Sequence, residues 1–182
     1  MNLLSVKGKK MDNSKTKVIL ITTGGTIDKT YDESEGTLEN RDSLIRQAIV
    51  GRLRLPYTEL EVFSIMSKDS LYMTDEDRAL ICMYMKNQLG RNVPIVVLHG
   101  TDTMTHTAEY CLEHIGEVNV PVVFTGAMKP LGFSDSDAQQ NVTEALLAAK
   151  LLKPGFYVSF HNRIFNVPNV KKNKDKRTFE EV

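Results

Sequence analysis

The stretch VILITTGGTID, residues 18–28, joins four β-favouring apolar residues to a turn that is rich in glycine and threonine. A second stretch, VPIVVLHGTDT at residues 93–103, has the same arrangement. Glycine allows a sharp turn and a close approach of the backbone to a ligand. Threonine supplies a hydroxyl that becomes a nucleophile when a base activates it. The two turns therefore predict two halves of one small-molecule site.

Strand-like and helix-like segments alternate along the rest of the chain. The strands are expected at 18–21, 60–66, 93–98, 121–125 and 156–160, and the helices at 41–54, 74–89, 103–114 and 137–152. Continuous apolar strands separated by helices indicate a parallel sheet that is covered on both faces. We therefore predict an α/β fold with a doubly wound, mostly parallel sheet, flavodoxin-like or Rossmann-like, and the strand order 2-1-3-4-5.

This strand order would gather four polar turns at one edge of the sheet. Ligands of open α/β sheets bind beyond the carboxyl ends of the strands, where the strand order reverses. That point lies between the first and third strands, which carry the turns at 22–28 and 99–103. The turns at 67–70 and 125–129 follow strands two and four, and we expect them at the same edge.

Length and composition favour one domain without nucleic-acid or membrane partners. The 182 residues predict a flexible extension over 1–16, with Met11 as an alternative start, and a single catalytic domain over 17–182. Lysine plus arginine balances aspartate plus glutamate at 23 each, so no net field attracts nucleic acid or acidic lipid. No apolar run has the length of a signal peptide or a membrane span. Two isolated cysteines, Cys82 and Cys111, are expected to be buried free thiols, which fits a cytoplasmic location.

Residue types alone leave simpler interpretations open for several of these segments. The TGGT turn lacks the pattern of a phosphate-binding loop and could be only a tight turn. Asp102 and Thr103 could cap the following helix, residues 134–137 are interpreted as a helix N-cap region, and residues 68–70 could form a solvated loop. Composition alone interprets residues 171–177 as a solvated basic tail. The four histidines form no ligand pattern, so no metal site is predicted.

Six motifs in this order resemble the amino-terminal catalytic domain of the bacterial-type L-asparaginases, the threonine amidohydrolases. They are TTGGTID at 22–28, SKDSLYMTDEDR at 67–78, HGTDTM at 99–104, VVFTGAM at 122–128, SDAQQN at 136–141 and VKKN at 170–173. The resemblance covers nearly all of the chain from about Lys17 onward. It implies hydrolysis of the side-chain amide of L-asparagine to L-aspartate and ammonia, without a metal or an organic cofactor.

The resemblance also implies roles for individual residues. Thr26 matches the family's nucleophile, and Tyr31 matches the tyrosine of its flexible lid. Thr101, Asp102 and Lys172 match a Thr-Lys-Asp triad, so the basic tail should fold back to the active site. The substrate-binding residues implied by the matching turns are Gly25, Asp69, Ser70, Gly100 and Ala127.

Two departures from the family pattern leave other functions open. The chain resembles the short-chain form that lacks a carboxy-terminal domain, and its Lys-Asp-Ser at 68–70 replaces a Ser-Gln-Asp type sequence. The alternatives are a glutaminase, an amidase subunit of a larger assembly, and a non-catalytic flavodoxin-like binding module. Direct attack by water is an alternative to a covalent intermediate. We also expect a homo-oligomer, a dimer or a tetramer, because a sheet without its second domain would expose apolar surface.

Overall fold

A computed structural model describes residues 15–25, 29–32, 37–40 and 53–182 of the chain. Ten strands and three α-helices are found in these ranges. The strands are β1 (Thr16–Thr22), β2 (Lys29–Asp32), β3 (Thr37–Asn40), β4 (Thr58–Ser64), β5 (Ile95–Leu98), β6 (Pro121–Thr125), β7 (Gly155–Phe160), β8 (Arg163–Asn166), β9 (Val170–Asn173) and β10 (Thr178–Glu181). The helices are α1 (Asp75–Leu89), α2 (Met104–Ile115) and α3 (Ala138–Leu151), and a 3-10 turn covers Ser70–Tyr72.

The central sheet has six strands in the order β4-β1-β5-β6-β7-β8. The first five are parallel to their neighbours, and only β8 runs antiparallel to β7. The predicted order 2-1-3-4-5 is confirmed, since the five predicted strands correspond to β1, β4, β5, β6 and β7. The edge strand β8 was not predicted.

Alternate residues of the central strands enter two separate cores. Ile19 and Ile21 of β1 face a core that α1 and α2 cover. Val18 and Leu20 face the opposite core, beneath α3. Successive side chains of a strand point to opposite faces of its sheet, so helices on both faces bury the whole apolar run. Full burial of one such side chain contributes roughly 1.5–3 kcal/mol.

The starts of the three helices agree only in part with the sequence. Thr74 and Asp77 form a capping box at the start of α1, as the acidic run after Thr74 predicts. The capping interpretation of Asp102 and Thr103 is wrong, because no side chain caps α2. Residues 134–137 do include the N-cap of α3: Asp137 stands at the N-cap position, and Ser136 Oγ accepts from the first helical N–H, although the Asp137 side chain makes no capping bond.

Two hairpins outside the central sheet were also not predicted. One pairs β2 with β3, within the polar stretch that precedes residue 41. The other pairs β9 with β10, in the segment that composition interprets as a solvated tail. Val170 and Phe179 of this second hairpin are buried in the core beneath α1 and α2. The tail interpretation is therefore wrong, because the hairpin is part of the packed domain.

Two expectations lie largely outside the described residues. The helix predicted at 41–54 lies almost wholly outside them, and so does most of the extension predicted over 1–16. Thr16, within that extension, is already the first residue of β1. None of the helices in the described part of the chain has the length and apolar character that a membrane span requires.

Candidate active site

The glycine turn after β1 packs directly against the turns after β4 and β5. Gly24 and Gly25 have φ angles of +92° and +97°, which side-chain-bearing residues rarely adopt. A Cβ on Gly25 would lie 2.5 Å from Gly100 Cα, and one on Gly24 would overlap the backbone of Lys68. Only glycine permits these approaches, so the sequence of this turn brings three loops together at the carboxyl edge of the sheet.

The fourth polar turn, after β6, meets the same cluster of loops. Gly126 packs so closely on the carbonyl oxygen of His99 that no Cβ would fit there. The next residue, Ala127, is buried. The four turns predicted at one edge of the sheet are therefore neighbours.

Lys172 reaches this edge from β9. Its Nζ donates hydrogen bonds of 2.8 Å to Thr101 Oγ1 and of 2.8 Å to Asp102 Oδ1. Thr101 is buried, and the Lys172 side chain is 17% exposed. A lysine amine held between a hydroxyl and a carboxylate forms a hydrogen-bonded network through which a proton can move to or from the hydroxyl.

The hairpin that carries Lys172 is tied to the loop after β6 by His161. One ring nitrogen of His161 lies 3.0 Å from Thr178 Oγ1 in β10, and the other lies 3.0 Å from Asp137 Oδ2. Asp137 also accepts the backbone N–H groups of Met128 and Lys129. Burial alone would raise the pKa of Asp137, but these hydrogen bonds outweigh it and hold the pKa below its ordinary value.

Asn141 in α3 completes this connection, which the sequence interpretation missed. Its side-chain amide donates to the carbonyl of Gly126 and accepts from the backbone N–H of His161. His161 has a φ of +46°, a left-handed conformation in which histidine is uncommon. The signal in the sequence was the SDAQQN motif, which contains Asp137 and Asn141. Because the motif was interpreted only as a helix cap, the contacts of these two side chains with Gly126 and His161 were not predicted.

The loop after β4 places Ser70 beside Gly100. Ser70 is buried, and its Oγ has no hydrogen-bond partner among the described residues. Its carbonyl oxygen accepts from Thr103 Oγ1 at 2.8 Å, so the hydroxyl predicted to cap α2 instead joins two site loops. Asp69 Oδ1 accepts from the N–H of Leu71 and shapes the 3-10 turn. Residues 68–70 are thus built into the edge of the sheet and are not simply a solvated loop.

Two of the predicted catalytic residues are not placed in full. Thr26 lies outside the described residues, directly after Gly25. Tyr31 lies in β2, of which only the backbone is described.

His99, between β5 and the GTD turn, is fully buried. Its Nδ1 lies 2.8 Å from the carbonyl oxygen of Gly100, and its Nε2 has no partner in the described ranges. Burial lowers the pKa of His99 to about 4. Within the described ranges, no group of three or more histidine, cysteine, aspartate or glutamate side chains is arranged to hold a metal ion.

The buried imidazole makes folding stability dependent on pH. The unfolded chain binds a proton at His99 near pH 6.5, whereas the folded protein binds it only near pH 4. We therefore expect the free energy of unfolding to fall by about 3 kcal/mol as the pH drops across this window. Urea unfolding at both ends of the window measures this loss. His99→Asn should flatten the profile, while His106→Asn, at an exposed histidine, should not. An unchanged slope in His99→Asn would contradict the assignment.

Comparison with known proteins shows the family. Residues 17–180 match the family model described as asparaginase, N-terminal. The L-asparaginase of Thermococcus kodakarensis is 32% identical over 158 residues, which cover 86% of this chain and 47% of the relative. The solved structure described as the thermostable L-asparaginase from the same organism has a TM-score of 0.80 at 28% identity. That match covers 92% of this chain and 51% of the solved one.

Another relative is named as a subunit of an amidotransferase and not as an asparaginase. A glutamyl-tRNA(Gln) amidotransferase subunit from Haloquadratum walsbyi is 30% identical over 154 residues, covering 82% of this chain and 34% of that protein. The chain thus spans about half the length, or less, of the relatives that it matches. The family model nevertheless accounts for almost all of the residues from Lys17 onward. The chain therefore belongs to the asparaginase family, and its residues 17–180 correspond to the family's N-terminal domain.

Proposed function

We propose that this chain hydrolyses the side-chain amide of L-asparagine to L-aspartate and ammonia, with Thr26 as the nucleophile. The observation that carries the proposal is the position of Lys172, 2.8 Å from both Thr101 Oγ1 and Asp102 Oδ1. Lys172 is 71 and 70 positions away from these two residues in the sequence. A lysine held between a threonine and an aspartate is the arrangement that the family resemblance implies for a proton-transfer triad.

In the proposed mechanism the triad transfers protons while the glycine turns hold the amide. Neutral Lys172 accepts a proton from Thr101, and Asp102 orients the amine. The Thr26 hydroxyl loses its proton with the help of Tyr31 or of the triad, and its oxygen attacks the amide carbon. The carbon–nitrogen bond then breaks and the nitrogen leaves, protonated, as ammonia. Water next hydrolyses the acyl-threonine ester to release L-aspartate.

The neighbouring turns supply the remaining requirements of amide hydrolysis. Backbone N–H groups of the glycine turn after β1 and of the Thr101 region serve as donors to the developing oxyanion. The buried Ser70 hydroxyl is the proposed contact for the polar groups of the substrate, together with Asp69, Gly100 and Ala127.

The amidotransferase relative supports a second candidate function. Its name describes one subunit of a larger assembly, and it is about as similar to this chain as the asparaginases are. The same site would then release ammonia from an amide within a complex.

Ammonia release by the purified chain tests the proposal. We expect release from L-asparagine and little or none from L-glutamine, because the relative matched at 32% identity is named an L-asparaginase. Ammonia is measured with each amide as the only substrate. Equal turnover of both amides would contradict the selectivity but leave the amidohydrolase intact. No release from either amide, in protein with native circular dichroism, would contradict the proposal and favour the role within a larger assembly.

The remaining expectations stay predictions: a single domain over 17–182, a cytoplasmic location and a homo-oligomer. Leu147, Leu151 and Ile164 are exposed around one apolar groove between α3 and β8, which supports the oligomer.

A further inference from the structure

We propose that Cys82 and Cys111 form a dithiol site that hydrogen peroxide oxidises to a disulfide between α1 and α2. The two cysteines are free thiols, and each lies in the middle of its helix. Their Sγ atoms are 2.9 Å apart. A disulfide bond is about 2.05 Å long, so the sulfur atoms need to approach by only about 0.9 Å.

Packing alone does not account for this separation. Buried thiols often behave as small apolar side chains, and that was the interpretation from sequence. It explains why both residues are buried. It does not explain two sulfur atoms closer than unbonded sulfur atoms normally pack. The two helices therefore hold the sulfur atoms in direct contact, hydrogen-bonded while both are thiols and close enough to form a covalent link.

A cavity gives a small oxidant access to one of the two thiols. Its volume is about 300 Å³, and Cys82, Lys86, Tyr110 and His114 are among the residues that line it. Cys111 is not among the described lining residues and is fully buried. Water occupies roughly 30 Å³ in the liquid, so the cavity has room for a molecule of hydrogen peroxide. Cys82 is the thiol that the oxidant meets first.

The surroundings assign different roles to the two sulfurs. The hydrogen bond between them lowers the pKa of Cys82, because the Cys111 S–H can donate to a Cys82 thiolate, and the Lys86 charge adds to this effect against the opposing influence of burial. The same hydrogen bond and burial raise the pKa of Cys111. Cys82 is thus the attacking thiolate, and Cys111 keeps its proton until the second step.

The proposed oxidation takes two steps. The Cys82 thiolate attacks one oxygen of hydrogen peroxide, the oxygen–oxygen bond breaks, and a sulfenic acid and hydroxide form. The Cys111 sulfur then attacks the Cys82 sulfur, the sulfur–oxygen bond breaks, and the departing hydroxide takes the Cys111 proton to leave as water. Two thiols lose two electrons, and one peroxide is reduced.

Mass spectrometry of the intact chain tests this proposal independently of amidohydrolase activity. The folded protein is treated with hydrogen peroxide, then unfolded and exposed to iodoacetamide. We expect both cysteines to escape alkylation, the peptides of Cys82 and Cys111 to be joined with the loss of about 2 Da, and dithiothreitol to reverse both changes. The crosslink spans 29 residues, so Tm should rise on oxidation.

Two serine variants separate the roles of the sulfurs. In Cys111→Ser, Cys82 should accumulate as a sulfenic acid that dimedone traps. In Cys82→Ser, Cys111 should remain a reduced thiol under the same treatment. Full alkylation of both cysteines in the peroxide-treated wild-type chain would overturn the proposal, as would a disulfide found only between two chains.

Discussion

Replacing Lys172 by methionine is expected to lower ammonia release from L-asparagine by about 10²-fold or more, the scale for a positioned acid–base group. Methionine has a similar length but cannot exchange a proton with Thr101. Tm should fall only moderately, because the buried Thr101 hydroxyl loses its partner, whereas the Asp102 side chain is 30% exposed and stays hydrated. Steady-state kinetics and thermal unfolding of the same preparation measure both quantities.

Matched lysines in the same hairpin provide the control. Lys171 is 58% exposed and forms only a surface ion pair with Glu180, so Lys171→Met should keep nearly full activity. If Lys172 and Thr101 act as one unit, Thr101→Val should lose a similar amount, and the double variant should lose little more than either single variant. Turnover of Lys172→Met close to that of Lys171→Met would rule out the triad.

Gly25→Ala is expected to lower both stability and activity, because the added methyl group would push apart the loops after β1 and β5 where they contact each other. The φ of +97° is strained for alanine, and the new Cβ would lie 2.5 Å from Gly100 Cα. Backbone strain of this kind costs roughly 1–3 kcal/mol. Separation of the loops by about 1 Å can reduce catalysis by about 10²-fold. Urea unfolding and the ammonia assay give the two effects separately.

Gly90→Ala is the matched control for this change. Gly90 follows α1 with a φ of −61°, and a Cβ there would meet no atom within 4 Å. The variant should unfold at the same urea concentration as the wild type or a higher one, with unchanged turnover. Equal behaviour of the two alanine variants would show that the contact between Gly25 and Gly100 does not shape the site.

The strands that carry the site were predictable from their composition and length. The run at residues 95–98 is apolar at every position, rich in β-branched residues and too short for a helix, which favours a strand buried on both faces. Once the strands are parallel, the reversal of strand order determines where their turns meet. The position of the GTD turn beside the TGG turn follows from this geometry.

The strands at the end of the chain were not predictable in the same way. β9 and β10 are four residues long, and charged residues surround their buried positions Val170 and Phe179. Local pattern cannot distinguish such a segment from a solvated tail. The segment becomes a strand because the core accepts Phe179. The Phe179 ring packs edge-on against the Phe160 ring there, with the two ring centroids 4.9 Å apart.

Asp137 shows a similar limit for side-chain partners. An aspartate directly before a helix favours a cap, yet the backbone N–H groups of Met128 and Lys129 compete for the same carboxylate. Whether Asp137 accepts from its own helix or from Met128 and Lys129 depends on the position of the loop after β6, which the sequence pattern does not reveal. The position of Lys172 beside Thr101 and Asp102 was likewise predictable only through the family resemblance.

The hairpin of β9 and β10 has a consequence for how the protein loses activity. Among the described strands, these two pair only with each other, so no backbone ladder joins them to the central sheet. Their attachment depends on buried apolar side chains and on a few polar contacts, those of Lys172 and Thr178 among them. Such a unit can open locally at a lower free energy than the global transition. Loss of the proposed activity would then precede unfolding, because the hairpin would open at a lower temperature than the one at which the central sheet melts.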